Sequence, residues 1–354
     1  MKRTTTPKQW IISFLVIVFA VFLLLSLIVY AVDPYYQFRY DPTPRFLSET
    51  KVNPGLVQHY DYDTLVIGSS MTQNFDMDTF RKELGVNPLG VGIGGLGLKE
   101  TVDYILLSDA AGKADKYFVC IDQSYFFQEA AIRTPEYLMK NDLISKLKYC
   151  FSYEVWFRYL PFDIALKAAD MIGFRLPSSI ADKTNLDTYK QWESDFTFGE
   201  EEVIKNFKSN QYSVSDVDLT DLYSKAVGRI DYFFASLPEG NDYALFFPPY
   251  SALFWANAQE KGYYDVYRQA KEYFLTKAEI FGATVYDFQS QEFIADLDNY
   301  KDTTHYSSGI NDYMVSCFAT GECRVTQENF HEMDENFDII VKNFKAKYAY
   351  LFDN

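Results

Sequence analysis

Hydrophobic and polar positions divide the chain into stretches of different character. Residues 10–32 carry no charged side chain and outlast the about 20 residues that cross a hydrocarbon layer of ~30 Å. A soluble helix of that length normally shows a polar stripe, and none is present here. Residues 33–63 mix Tyr, Pro and Asp without a period and read as an irregular spacer. From Thr64 onward short unbroken apolar runs (64–67, 89–93, 117–121, 243–247 and 284–288) alternate with stretches of helical spacing (76–84, 99–108 and 263–281). That alternation predicts α/β architecture, a parallel sheet of about five strands with helices on both faces. Continuous apolar strands suit a sheet covered on both sides.

The interval 128–224 interrupts the rhythm. Tyr137, Leu138, Leu143, Ile144 and Leu147 suggest one helix and residues 164–172 another, with Pro161 and Pro177 as punctuation. It reads as a mostly helical insertion, a candidate lid. At the end of the chain Phe330, Met333, Phe337, Ile340 and Phe344 recur at three and four, with Thr326 as the expected N-cap. The predicted organisation is a cytoplasmic tip and transmembrane anchor (1–32), a spacer (33–63), an α/β domain carrying the insertion (64–325) and an amphipathic helix (326–354).

Charge orients this picture. Lys2, Arg3 and Lys8 precede the apolar run, and positive charge stays on the cytoplasmic side, so everything after Asp33 is expected outside. A cleaved signal peptide is the rival reading, because Val29-Tyr30-Ala31 resembles a cleavage site, although the run exceeds a signal core of 7–15 residues. The 354 residues carry 33 basic and 49 acidic side chains, a net charge of −16, which argues against a nucleic-acid partner. The 18% aromatic content supplies a large core and excludes wholesale disorder. Four cysteines do not make a disulfide scaffold. Cys120 reads as a small core residue and Cys150 has no obvious partner. Cys317 and Cys323 lie close enough in sequence to pair, and the sequence leaves a disulfide and two free thiols equally open. No metal-ligand spacing occurs.

Three segments carry candidate chemistry. In Gly68-Ser69-Ser70 a serine directly follows the first strand, at the carboxyl edge where open α/β folds bind ligands; a helix after Ser70 would turn free N–H groups toward it. A serine needs an adjacent base; on its own such a residue is commonly just an N-cap. Asp302-Thr303-Thr304-His305 offers one, since a turn brings the Asp302 carboxylate to one imidazole nitrogen and leaves the other to take a proton. His59 and His331 lack such a neighbour. The third segment is glycine-rich, residues 90–97. Gly92, Gly94 and Gly97 match a dinucleotide fingerprint formally, with Asp122 closing the next strand. However, the motif follows the second strand, and Asp122 lies further away than the ~20 residues expected. Its other use is to aim a backbone N–H at the Ser70 oxygen.

Together these segments resemble the SGNH/GDSL hydrolase superfamily. Gly68-Ser69-Ser70 stands where that family has Gly-Asp-Ser, and Asp302-x-x-His305 matches its last block. The resemblance implies Ser70 as nucleophile, His305 as base and Asp302 as its orienter. It also implies an oxyanion hole from the N–H groups of Ser70 and Gly95, with Gly94 as the next candidate. A single N-terminal anchor with an external domain and a helical insertion further resembles the DltD-like and polysaccharide O-acyl-modifying proteins of bacterial cell envelopes. One position departs: the third block normally supplies an asparagine, and this chain has Asp122 followed by Gln123. An ionised Asp122 only accepts hydrogen bonds, and a lost oxyanion donor costs about 2.7–4 kcal/mol in the barrier. Thr72, Gln73 and Gln123 are candidate substitutes. The turn at Tyr250 and Ser251 is expected along the cleft or as a plain structural turn.

The resemblance implies a membrane-anchored extracellular serine esterase or O-acyltransferase with no cofactor. Its expected partners are a cell-envelope polysaccharide or teichoic-acid-like polymer and a membrane acyltransferase. The alternatives are a catalytically degenerate binding or scaffold protein of the same assembly and, further off, a dinucleotide-binding protein.

Overall fold

The computed structural model describes residues 6–43, 48–174, 192–209 and 219–352. Residues 175–191 and 210–218 of the expected insertion, Pro177 among them, lie outside the described residues. The chain divides into two compact units, one from Met1–Tyr60 with Thr134–Leu186 and the other from Asp61–Arg133 with Asp187–Asn354.

The first unit is helical. Its apolar N-terminal stretch forms α1, Pro7–Val32, a helix long and apolar enough to cross a membrane. Thr6 caps it through a reciprocal bond with Gln9, which satisfies two donors that the first turn leaves free. Of the stretch expected as an irregular spacer, residues 33–43 form no helix or strand but are tied down by hydrogen bonds, and residues 44–47 lie outside the described residues. Asp33 leaves α1 with φ 48°, and its carboxylate accepts the backbone N–H groups of Gln37, Phe38 and Arg39 and the Tyr149 hydroxyl. Tyr35 and Tyr36 are buried, and Glu49–His59 forms α2. Asp33, Tyr35 and Tyr36 of the expected spacer are thus buried in the fold. The insertion supplies α6, Leu143–Cys150, a π-helical segment Val155–Tyr159 and α7, Leu160–Met171, once α3, Met77–Leu84, α4, Leu98–Ala111, and α5, Ser124–Phe127, of the other unit have been passed in chain order.

The second unit is mixed α/β around a six-stranded sheet of order β2-β1-β3-β4-β5-β6. The strands are β1 Thr64–Gly68, β2 Pro88–Gly92, β3 Lys116–Cys120, β4 Asp242–Phe247, β5 Thr284–Asp287 and β6 Arg324–Val325. Neighbours from β2 to β5 pair in parallel. The antiparallel β6 escaped the sequence reading, because two residues hold no period to detect. β1 is buried along its whole length, as its unbroken apolar run requires. Ser308–Thr320 and Phe330–Lys347 are helices of the same unit. The last begins after Asn329, later than the expected cap Thr326, which is instead tied to the Asn329 side chain. Cys120 is in the core, and the sulfurs of Cys317 and Cys323, both free thiols, lie 3.4 Å apart.

The strand order sets where chemistry belongs. From β1 the chain steps outward to β2, then returns past β1 to β3. The loops after β1 and β3 therefore run in opposite directions, and a crevice opens at their carboxyl ends. Ser70 and Asp122 follow those two strands.

Candidate functional site

Ser70 leaves β1 through a close approach that only glycine permits. A Cβ on Gly68 would lie 2.5 Å from Cys120 Cβ and 2.7 Å from Thr72 Cγ2. The expected helix after Ser70 is a single 3-10 turn, Ser70–Thr72, capped by Ser69. A turn this short has little dipole, so the surroundings of Ser70 must come from side chains and individual N–H groups.

His305 reaches that serine from 235 positions away, with Ser70 Oγ 2.8 Å from Nε2. Its Nδ1 is 2.7 Å from Asp302 Oδ2. Burial pushes the Asp302 carboxyl up, but the hydrogen bond and charge of His305 and the N–H groups of His305 and Thr304 outweigh it. They hold Asp302 well below the usual carboxylate range. The carboxylate therefore accepts, Nδ1 carries the proton, and Nε2 is left to receive the Ser70 hydroxyl. Asp302 Oδ1 accepts the N–H groups of Thr304 and His305, each at 2.9 Å, so the carboxylate cannot rotate away from the ring.

The loop that presents His305 is closed by an antiparallel bridge between Tyr300 and Tyr306. The Tyr306 hydroxyl donates to the Met71 carbonyl at 3.4 Å, which joins the loop directly to the serine turn. A second support comes from the β4 end. Ser251, fully buried, donates its hydroxyl (2.7 Å) and its N–H (3.1 Å) to the Thr303 carbonyl. The Tyr300 hydroxyl donates to the Pro249 carbonyl, and Gln289 to the Pro248 carbonyl. Gln289 in turn accepts from Lys271, whose ammonium is 2.5 Å from Asp287 and fully buried with it. Tyr250 and Ser251, expected along the cleft or as a plain structural turn, are both buried, and Ser251 helps to hold the histidine loop in place.

Gly95 has φ +69°, and a Cβ there would come within 2.7 Å of Arg133 Nη2. A side chain at position 95 would meet both backbone strain and the guanidinium. Among the described residues no group accepts the N–H of Ser70, Gly94 or Gly95, as an oxyanion hole requires of its donors. Arg133 is exposed, and no carboxylate among the described residues pairs with its guanidinium.

The third-block position is otherwise occupied. Asp122 is buried and accepts from the Ser69 hydroxyl at 2.9 Å and from Ser124 N–H at 2.9 Å. Two of the candidate substitutes are also engaged. Thr72 donates to the Ser69 carbonyl, and the Gln73 amide donates to the Gly92 carbonyl at 3.4 Å. The Gln123 side chain is half-buried and has no hydrogen-bond partner among the described residues. The same contacts weigh against the dinucleotide reading, since the Asp122 carboxylate faces protein donors, and a Cβ on Gly97 would meet Ala130 at 2.6 Å.

No family model and no curated protein matches the chain. Its chemistry therefore rests on the geometry. Arg133, against Gly95, and Trp192, against His305, are neighbours of the candidate residues that sequence reasoning missed. The buried Trp192 ring stands edge-on to the His305 imidazole, with centroids 5.1 Å apart, and Lys301 lies over the rings of Trp192 and Phe196. Nothing in their local sequence marks either residue, because both reach the site only through tertiary folding. No cluster of three or more metal-ligating side chains occurs among the described residues.

Proposed function

We propose that the chain is a serine esterase or O-acyltransferase of SGNH type, a three-layer α/β/α sandwich held by α1 at the outer face of a membrane. The observation that carries this reading is the continuous Ser70–His305–Asp302 relay, with contacts of 2.8 and 2.7 Å. Ser70 Oγ attacks an ester carbonyl while His305 Nε2 takes its proton, and the alcohol leaves with that proton. Water or a second hydroxyl then gives its proton to Nε2 as it attacks the acyl carbonyl, and Nε2 returns that proton to Ser70 Oγ as the acyl–serine bond breaks, which restores the free serine. Asp302 stabilises the imidazolium in both halves. The free N–H groups of Ser70, Gly94 and Gly95 suit the oxyanion, and Arg133 adds a cation on the same side to make up for the missing asparagine. A tether raises the local concentration of a surface polymer, so an envelope glycan or teichoic-acid-like polymer is the substrate class, with a membrane acyltransferase as a fitting donor partner.

Asp122 favours a second reading. A third-block residue locked as an acceptor fits a degenerate binding protein of the same assembly. Turnover separates the two. The full-length chain in detergent should hydrolyse p-nitrophenyl acetate and transfer acetyl to added glycerol, and Ser70→Ala should abolish both. A folded chain whose rate equals that of Ser70→Ala overturns the enzyme reading.

A further inference from the structure

We propose that the helical insertion of the first unit is seated in the lipid bilayer beside α1, in the leaflet at the C-terminal end of that helix. This inference is independent of the ester chemistry. It replaces the lid expected from the sequence with a membrane element.

Both α6 and α7 pack on α1. The Phe151 ring stands edge-on to Phe22, with centroids 5.0 Å apart. Phe22 precedes the end of α1 at Val32 by about ten residues, or ~15 Å at ~1.5 Å per residue. A hydrocarbon layer is about 30 Å thick. If α1 crosses it, Phe22 is near mid-depth, and a residue that touches Phe22 lies in hydrocarbon rather than in water. The end of α6 is therefore inside the layer.

The surface of the insertion matches that placement. Leu143 and Ile144 on α6, Phe157 in the π-helical segment, Phe162 and Met171 on α7, and Ile172 just beyond it are exposed at 65% or more. Monomeric soluble surfaces rarely gather so many large apolar side chains on neighbouring helices. In the other unit exposed apolar residues such as Leu106 and Ile280 are scattered over separate helices. Much of the charge within the insertion is paired. Glu154 pairs with Lys51 at 2.7 Å, Lys167 with Asp41 at 2.6 Å and Lys140 with Glu136 at 2.5 Å, and Arg158 lies 3.5 Å from Glu154. Lys148 and Asp170 are exposed, and a long Lys148 stem lets its ammonium reach toward lipid phosphates. Helices meet the other condition of a bilayer, since their backbone groups bond internally. An amphipathic helix of this kind lies in the interface with its apolar face toward acyl chains.

The test uses the full-length chain in vesicles of phosphatidylethanolamine and phosphatidylglycerol. Bimane is attached at Ile144→Cys or Phe157→Cys, with Ile280→Cys as the aqueous control and the unmodified chain as the background for the native cysteines. The proposal predicts that doxyl lipids quench the labels at 144 and 157 and that aqueous iodide does not, with the reverse at 280. Quenching at 144 and 157 by iodide alone, or by neither agent, overturns it, the latter result pointing to a second copy or a protein cover. A photoreactive lipid supplies a measurement free of substitutions. Cross-links should map to residues 143–172 of the wild-type chain and not to residues 264–281, and equal labelling of both stretches contradicts the proposal.

Discussion

Two aspartates at the carboxyl edge of the sheet are used in opposite ways. Asp302 takes two backbone N–H groups on one oxygen and the His305 ring on the other, so its charge is aimed at a group that moves a proton. Asp122 takes the Ser69 hydroxyl and the Ser124 N–H. Both belong to the scaffold, so its charge fastens the loops after β1 and β3 together. The same side chain is an orienter in one loop and a clamp in the other, and the partners decide which. A residue type found at a motif position does not by itself establish a role.

This contrast makes the effects of amide substitution at the two sites unequal. Asp302→Asn keeps the shape but donates toward Nδ1, which favours the wrong tautomer. On the proposed ester chemistry the rate should fall by about 10⁴ with KM little changed, the scale of this substitution in known serine triads, and steady-state ester hydrolysis would read it. A loss below about tenfold would mean that His305 is not held through Asp302. Arg133→Ala is expected next, at roughly 10²-fold in kcat, the scale of one lost electrostatic contact to an oxyanion. Arg133→Lys should recover part of it, and an effect confined to KM would make Arg133 a binding residue only. Asp122→Asn should stay within about tenfold, because Ser69 keeps a polar partner. A large gain in rate would instead show that the amide supplies the absent oxyanion donor.

The smallest effect is in stability. The folded Asp302 carboxyl titrates below its unfolded value of 3.8. Its contribution is therefore fully present above that value and lost as pH falls through the lower folded one. Urea midpoints measured downward from pH 5 should fall more steeply for the wild type than for Asp302→Asn. Parallel curves would contradict the charge-supported loop.

What the sequence made legible follows from the range of each interaction. The five parallel strands were visible as apolar runs, because burial on both faces leaves no polar alternation. Asp302 and His305 were visible as a pair, because a three-residue turn is local. Ser70 was a candidate from its place after β1. The contact between Ser70 and His305 spans 235 positions and could be expected only from the resemblance. Arg133 against Gly95, Trp192 against His305 and Ser251 under Thr303 were out of reach, since each joins segments whose own patterns say nothing of the other. The stretch 33–63 misled for a related reason. Tyr and Asp are polar on average, yet the buried Tyr149 hydroxyl accepts the Tyr35 N–H and donates to Asp33, a long-range contact that the composition of the stretch does not reveal.

The central claim is that His305 activates Ser70 as a nucleophile. Mass spectrometry of the full-length protein after treatment with a fluorophosphonate tests it most directly. The account predicts one adduct per chain, on Ser70, absent in Ser70→Ala and sharply reduced in His305→Ala. An unlabelled wild-type protein that remains folded, or an adduct that survives Ser70→Ala, would contradict it.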